Sequence, residues 1–280
     1  MLNSVNTNVG AMVALESLNQ TNAALQATEK QISTGYRVAD AVDDGAAYAV
    51  AQGVRSSVAS LTSANQQLGN VNGLLSTTTS ALNSISNMMI DMRTVLVKLA
   101  DGNTQGNERT QYQQQYNQDI LAVKSAIQDA SYNGKTLIGN ITGSSGTFGS
   151  VAVVRNEVGS TYGIATFSGS AFFGSINITT FTSTAAQAQL TATGTFQNMQ
   201  NTIGAQLNLY GSATNYVSAQ TTYNSNKIDA LNSGLGSLID ADLSKESAQL
   251  TSLQIRQQLG TQSLSIANQA PQTLLRLFGL

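Results

Sequence analysis

The residues best placed to do chemistry are two aspartates separated by a single residue, Asp240-Ala241-Asp242. Paired carboxylates can pass a proton or hold a divalent cation. Either task needs further groups, and the 280-residue chain contains no His and no Cys. The commonest general base, the imidazole metal ligand and any thiolate ligand are therefore missing. The aspartate pair reads instead as the N-terminal cap of a following helix. Glycines recur between Gly139 and Gly149, but that stretch has neither the Lys of a phosphate-binding loop nor a dinucleotide fingerprint, so it reads as turns. The sequons Asn19-Gln20-Thr21, Asn140-Ile141-Thr142 and Asn177-Ile178-Thr179 are what chance gives in an Asn- and Thr-rich chain. No enzymatic activity, cofactor or metal is expected.

A second cluster, Arg37, Asp40, Asp43 and Asp44, concentrates charge in a chain that is only 10% Asp, Glu, Lys and Arg, against about 25% in ordinary soluble domains. Two readings stand for it: ion pairing between subunits, or a solvated loop whose aspartates cap the next helix. Lys plus Arg number 13 against 15 acidic residues, so a net charge of −2 gives no electrostatic reason for a nucleic-acid or anionic-membrane partner. The N-terminal Met1–Asn8 lacks the basic and apolar regions of a Sec signal, and no run approaches the roughly 18 apolar residues of a membrane span. These marks alone suggest a cytoplasmic protein.

The elements that must carry these residues are announced by heptads. Val54, Leu61, Leu68, Leu75, Leu82, Met89 and Leu96 recur every seven residues, with Ala64, Val71, Thr78, Ile85, Met92 and Leu99 at the companion position. That alternation predicts a long helix packed along a coiled-coil seam. Phe196, Ile203, Tyr210, Val217, Asn224, Leu231 and Leu238 repeat the device, with the polar Asn224 set to fix register. Tyr116, Ile120, Val123, Ile127 and Ala130 supply a third stripe, and the turn cluster Asp101–Gly106 reverses the chain before it.

Between Thr136 and Asn226 only Arg155 and Glu157 are charged, and the β-branched segments 150–154 and 175–179 read as hairpin strands. At the ends, Leu15, Leu18, Leu25 and Ile32 face a C-terminal set of Leu250, Leu253, Leu264 and Leu274, while Ile255, Leu259 and Ile266 form a second C-terminal stripe. A helix with apolar stripes on two sides needs two sets of neighbours. The expected fold is mainly α: an elongated antiparallel long-helix bundle with coiled-coil terminal helices and a small β-hairpin outer element. The expected organisation is terminal helices at 1–33 and 240–280, a linker at 34–53, the bundle at 54–136 and 191–239, and a β-rich exposed element at 137–190.

Particular blocks carry a family resemblance. Residues 33–51, Ser-Thr-Gly-Tyr-Arg-Val-Ala-Asp-Ala-Val-Asp-Asp-Gly-Ala-Ala-Tyr-Ala-Val-Ala, resemble the flagellin signature after the first helix. Ser131-Tyr132-Asn133-Gly134-Lys135-Thr136-Leu137-Ile138 is similar to the family's Asn-Gly turn, and Ile239–Leu243 and Ala267–Gln272 are similar to its C-terminal signatures. The resemblance implies a bacterial flagellar filament subunit for swimming motility, with the termini forming an inner tube, the long helices an outer one and the β element facing solvent. It implies export through the flagellar type III apparatus, which replaces the cytoplasmic reading with a secreted, extracellular one. It implies self-assembly into a helical homopolymer, with other flagellins able to share it, and an export chaperone plus hook-associated junction and cap proteins as partners. The weakly apolar termini are expected to fold only on docking.

The same resemblance makes O-glycosylation plausible at Thr142, Ser144, Ser145, Thr147, Ser168, Ser170, Thr179, Thr180 and Thr182. It also brings in an innate-immune receptor of the Toll-like class, whose recognised stretch corresponds to Met92–Ala100. Arg93 matches there, but Thr94 and Gln115 stand where acidic residues are usual, so weak recognition is expected. The competing readings are a hook–filament junction protein and a secreted helical-rod adhesin or translocator. A protease-bearing flagellin would need a zinc-binding His pair, which the chain lacks.

Overall fold

Most heptad positions named above find a buried place in a long helix, while Val54, Leu231 and Leu238 are half-buried. The computed structural model describes the backbone of residues 7–277 and side chains through residue 269. Among the described residues seven helices and four short strands follow in order: α1 Val9–Thr34, α2 Gly45–Ala100, α3 Gly106–Asp129, β1 Lys135–Thr136, β2 Thr147–Phe148, β3 Val151–Val154, β4 Thr161–Ile164, α4 Gly169–Ile176, α5 Ser183–Leu190, α6 Thr195–Ile239 and α7 Leu243–Leu277. They divide into a terminal unit, residues 1–56 with 230–280, and a central unit, residues 57–229.

In the central unit the seam of α2 is closed to solvent. Leu61, Leu68, Leu75, Leu82, Met89 and Leu96 are fully buried, as are Thr78, Met92 and Leu99. Thr78 returns its hydroxyl to the Leu74 carbonyl at 2.8 Å, the usual solution for a hydroxyl inside a helix. Phe196, Ile203, Tyr210 and Val217 of α6, and Tyr116, Ile120, Val123 and Ile127 of α3, complete one core. Arg93 donates to Gln200 and Asn224 donates to Asn65, so α6 runs antiparallel to α2. The Tyr132 ring sits so close over Gly73 that a Cβ there would fall 2.5 Å from it. Asn133 and Gly134 take φ of 48° and 73°, the left-handed pair that an Asn-Gly hairpin turn requires.

Two expectations need correction. The 137–190 segment is not mainly β. Strands β1 and β2 form a two-residue parallel pair, and β3 and β4 form an antiparallel pair of four residues each. Of the expected strand at 175–179, residues 175 and 176 instead end α4 and 177–179 follow it outside any strand; in α4 Ser168 accepts from the Ala171 N–H as N-cap while Phe172 and Ile176, one turn apart, go into the core. Leu137, Ile138, Val153, Ile164 and Ala186 join the same core as the long helices, so this segment packs into the central unit. The linker is also shorter than 34–53, because α2 already begins at Gly45. Asp44 explains that start by accepting from the Ala46 and Ala47 N–H groups.

The terminal unit is an antiparallel pair, α1 against α7. Asn8 caps α1 through the Ala11 N–H and also donates to the Ala267 carbonyl at 2.7 Å. Gln257 donates to Asn22 at 2.8 Å, and Leu18 lies against Gly260. At the other end Gly35 closes α1 in the left-handed conformation, and the Ala241 N–H donates to the Gly35 carbonyl. Asp242 accepts from the Ser244 and Lys245 N–H groups and so caps α7, whereas Asp240 sits one step earlier, bridged to Tyr36.

Candidate functional site

A helix shows which side it keeps for a partner by which apolar residues its own chain leaves uncovered. In the terminal unit most are uncovered. On α1, Met12 is 62% and Val13 65% exposed, with Val9 and Leu15 about half exposed. On α7, Leu259 is 57% and Ile266 66% exposed, with Leu243 and Ile255 similar. Only Thr28 of α1 and Leu253 of α7 are buried among the described side chains of these two helices.

The stripe proposed from the sequence divides accordingly. Leu253 is buried between the helices, while Leu18, Leu25, Ile32, Leu250 and Leu264 are half-buried. Leu15 points outward, and Leu274 lies outside the described side chains. The inner surface is thus small and the outer one is apolar on both helices. Small residues make this possible: Ala14, Ser17 and Ala24 of α1, with Gly260 and Ser263 of α7, leave a trough of ≈ 440 Å³ along the pair.

The charged loop is built within the chain. Lys30 of α1 donates to Asp40 and to Asp43, both at 2.7 Å. That contact first, and backbone N–H donors after it, holds both carboxyls below the usual carboxylate range. The two carboxylates hold the Lys30 ammonium above its ordinary value. Asp43 also accepts from the Ala39 and Asp40 N–H groups, and Asp40 from those of Val42 and Asp43, so the loop is a closed hydrogen-bonded turn. Arg37 donates to the Leu238 carbonyl, and Arg55 lies 5.8 Å from the centre of the Tyr36 ring. Beneath them Val38, Ala47, Ala51 and Ile239 form a small core of their own. Neither Lys30 nor Arg55 stands out in the sequence. Lys30 stands 10 and 13 residues from its partners, on another element, where no short-range spacing rule reaches.

The central unit holds one buried polar network that sequence reading found only in part. Asn224 donates to Asn65 and to the Arg155 carbonyl, both at 2.9 Å, and accepts from Gln220. Gln220 reaches the same Arg155 carbonyl at 3.2 Å, and the Arg155 guanidinium donates to the Tyr216 hydroxyl at 3.1 Å. Lys227 pairs with Glu157 one turn further on, and Tyr216 stacks on Tyr162. The hairpin β3–β4 is thereby fastened to α6. Asp119 of α3 is the contrasting case: one carboxylate oxygen is buried without a partner, and desolvation, with Asp91 adding repulsion, pushes its pKa up. Two carboxylates make no cation cage, and no group of three or more potential ligands occurs among the described residues. Among them, too, no helix is long and apolar enough to cross a membrane.

The hydroxyls marked for sugar are not equivalent. Ser168 and Thr182 cap α4 and α5, Ser145 donates to the Gln128 carbonyl at 2.7 Å, and the Ser144 oxygen is buried. Thr142, Thr147, Ser170, Thr179 and Thr180 are exposed. Of the receptor stretch, Met92, Val95, Leu96 and Leu99 face the core, Arg93 is held by Gln200, and Thr94, Val97 and Lys98 are exposed.

Comparison with known proteins agrees with this layout. Residues 5–142 match the family described as the bacterial flagellin N-terminal helical region, and residues 190–278 match the bacterial flagellin C-terminal helical region. The mixed segment between them lies outside both matches. Flagellin FljM of Caulobacter vibrioides is 30% identical over 278 residues, covering 99% of each chain. A flagellin of Brucella melitensis is 29% identical, covering 98% of this chain and 99% of its own. The crystal structure of Bacillus cereus flagellin superimposes with a TM-score of 0.50 at 18% identity, covering 57% of this chain and 88% of that one, which supports the fold. Two long helical regions with half-covered ends, matched from one end of the relatives to the other, place the chain in the bacterial flagellin family, whose members are structural subunits of the flagellar filament.

Proposed function

We propose that this flagellin reaches the outside of the cell through the flagellar type III apparatus as an unfolded chain and polymerises there through the outward apolar faces of α1 and α7. The observation that carries the reading is the exposed row on both terminal helices, from Met12 and Val13 to Leu259 and Ile266. Burying such side chains contributes about 1.5–3 kcal/mol each when complete, and within one chain they gain only part of it. Neighbouring copies of the same pair supply the missing cover to Leu15, Leu18, Leu25, Ile32, Leu250 and Leu264, while Leu253, already buried, holds the two helices together, and with Leu274 these make up the inner assembly set. Folding of the termini is coupled to that docking.

In the loop, Lys30 already engages Asp40 and Asp43, and α2 engages Asp44 as its cap. Arg37, exposed and held by one backbone carbonyl, is the member best placed to meet a second subunit. The export chaperone, the junction and cap proteins and other flagellins remain the partners this reading calls for. Sugar attachment, where it occurs, falls on Thr142, Thr147, Ser170, Thr179 or Thr180, and the Toll-like receptor binds weakly.

The test is salt-induced polymerisation of purified protein, viewed by negative stain, beside amide exchange of dilute monomer. Filaments, with fast exchange in residues 9–32 before assembly and slow exchange after, are the expected result. A protected, fully helical monomer that never forms fibres rejects the reading.

A further inference from the structure

The chain holds two Asn-Gly pairs, Asn72-Gly73 and Asn133-Gly134, and the fold treats them oppositely. An asparagine followed by glycine can close on itself, the glycine nitrogen attacking the side-chain amide carbon with no Cβ in its way. The attack needs a free peptide N–H and a backbone that turns that nitrogen towards the side chain. Asn72-Gly73 lies inside α2, where each N–H bonds back four residues. The Tyr132 ring also covers Gly73, as close as 2.5 Å to where a Cβ would stand. Asn133 and Gly134 are exposed and form the two-residue turn between Tyr132 and Lys135. Tyr132 and Lys135 close that turn with N–H···O bonds in both directions, at 2.8 and 3.0 Å, and the Thr147 N–H donates to the Gly134 carbonyl at 2.8 Å. The Asn133 carbonyl and the Gly134 N–H, two ends of one peptide, make no hydrogen bond, and neither does the Asn133 side chain.

From this we propose that Asn133 is a site of spontaneous deamidation and that Asn72 is shielded from it. Positive φ at both turn residues, 48° and 73°, makes the turn type I′. Rotating the unbonded peptide plane converts it to type II′, which keeps the positive φ of Asn133, carries its ψ to about −120° and takes Gly134 to negative φ. The rotation breaks no hydrogen bond, because those of Tyr132, Lys135 and Thr147 lie on other peptides. Glycine tolerates the change of sign, and the space beside Gly134 is open. At that ψ the Gly134 nitrogen lies on the side-chain side of Asn133, within reach of Cγ. Solvent base takes the Gly134 proton, the nitrogen bonds to Cγ, and the Cγ–NH2 bond breaks as ammonia leaves with a solvent proton. Water then opens the cyclic imide at either carbonyl, giving aspartate or isoaspartate. Nothing is oxidised or reduced; a water enters and an ammonia departs. The product adds a negative charge to a chain of net charge −2. Isoaspartate also lengthens by a methylene the turn that holds Tyr132 over Gly73.

The test incubates the full chain in mildly alkaline, heavy-oxygen water. Peptide mapping reads conversion of amide to acid with uptake of the heavy oxygen, and enzymatic methylation counts isoaspartyl carboxyls. In the folded chain, conversion at Asn133 is expected to exceed that at Asn72 by at least about tenfold, the factor that one net hydrogen bond of the helix ladder carries. In urea, where neither environment survives, the two sites should convert at similar rates. Asn133→Gln, whose longer side chain would have to close a larger ring, should abolish the isoaspartyl signal of the folded protein, and Asn72→Gln should leave it unchanged. A folded chain that shields Asn133 as strongly as Asn72, equal conversion of the two in the folded state, or an isoaspartyl signal that survives Asn133→Gln overturns the proposal.

Discussion

The two units are made from the same amino acids and treat them oppositely. Both are rich in Ala, Ser, Thr, Asn and Gln, and both rest on helices marked by apolar heptads. In the central unit three long helices close over their stripes, and the mixed segment 137–190 adds Leu137, Val153, Phe172 and Ile176 to the same core. In the terminal unit two helices meet along one narrow side and leave comparable residues in solvent. The difference lies in the number of neighbours each helix has inside its own chain. A stripe is a demand for partners, and only the central unit meets that demand without a second molecule.

That contrast is sharpest for leucine. Leu82→Ala, in the sealed centre of α2, is expected to cost about 2–5 kcal/mol in urea unfolding of the monomer, since it removes buried methyl groups and leaves a cavity. Leu18→Ala, at a half-buried place over Gly260, is expected to leave the monomer transition almost unmoved and to raise the critical concentration for polymerisation. Equal losses of monomer stability for the two would break the comparison.

Buried polar groups should separate the units in the same direction by a smaller amount. Asn224→Ala takes the donor from the Asn65 side-chain oxygen and leaves the Arg155 carbonyl to Gln220 alone, and leaving a buried group unpaired costs about 1–3 kcal/mol. Amide exchange across Val151–Ile164 should quicken as the hairpin loosens from α6. Gln257→Ala breaks the corresponding cross-helix bond to Asn22, where water replaces what is lost, and monomer stability should hardly change.

How far the sequence discloses these features follows from their range. The seam of α2 is legible because a seven-residue period sustained over many turns has one physical meaning. Asn224 is legible as a polar interruption of such a seam, but its partner Arg155 is not, because 69 residues and a hairpin separate them. The run 175–179 misleads because Ser-Ile-Asn-Ile-Thr alternates like a strand over five residues, too few to outweigh the Ser168 cap and the Phe172–Ile176 turn. Lys30 is not legible in the sequence because the carboxylates it binds belong to the following loop. The two apolar sides of α7 are legible as two stripes, and only packing shows that Leu253 goes inward while Leu259 and Ile266 stay out.

The smallest expected effect concerns the charged loop, where the terminal unit relies on electrostatics more than on burial. Lys30 touches Asp40 and Asp43 at the surface, so salt and water weaken the pairs and global stability should barely register Lys30→Met. The local response to pH still has a definite sign. Both carboxyls sit below their ordinary value of 3.8, so their contribution is complete above that value and fades as pH falls through the lowered ones. Lys30 sits above its ordinary 10.5, so its contribution is complete below that value and fades as pH rises through the raised one. Between those limits the loop should be insensitive to pH, and the Ala39 and Asp40 amides, which donate to Asp43, report it directly. Native-state exchange at neutral pH should be faster for these two amides in Lys30→Met than in wild type, and high salt should shrink the gap. With both carboxyls protonated the variant and wild type should match. A gap that survives in acid would mean that Lys30 orders the loop through its methylene stem rather than its charge, and would draw this corner of the terminal unit closer to the packing logic of the central one.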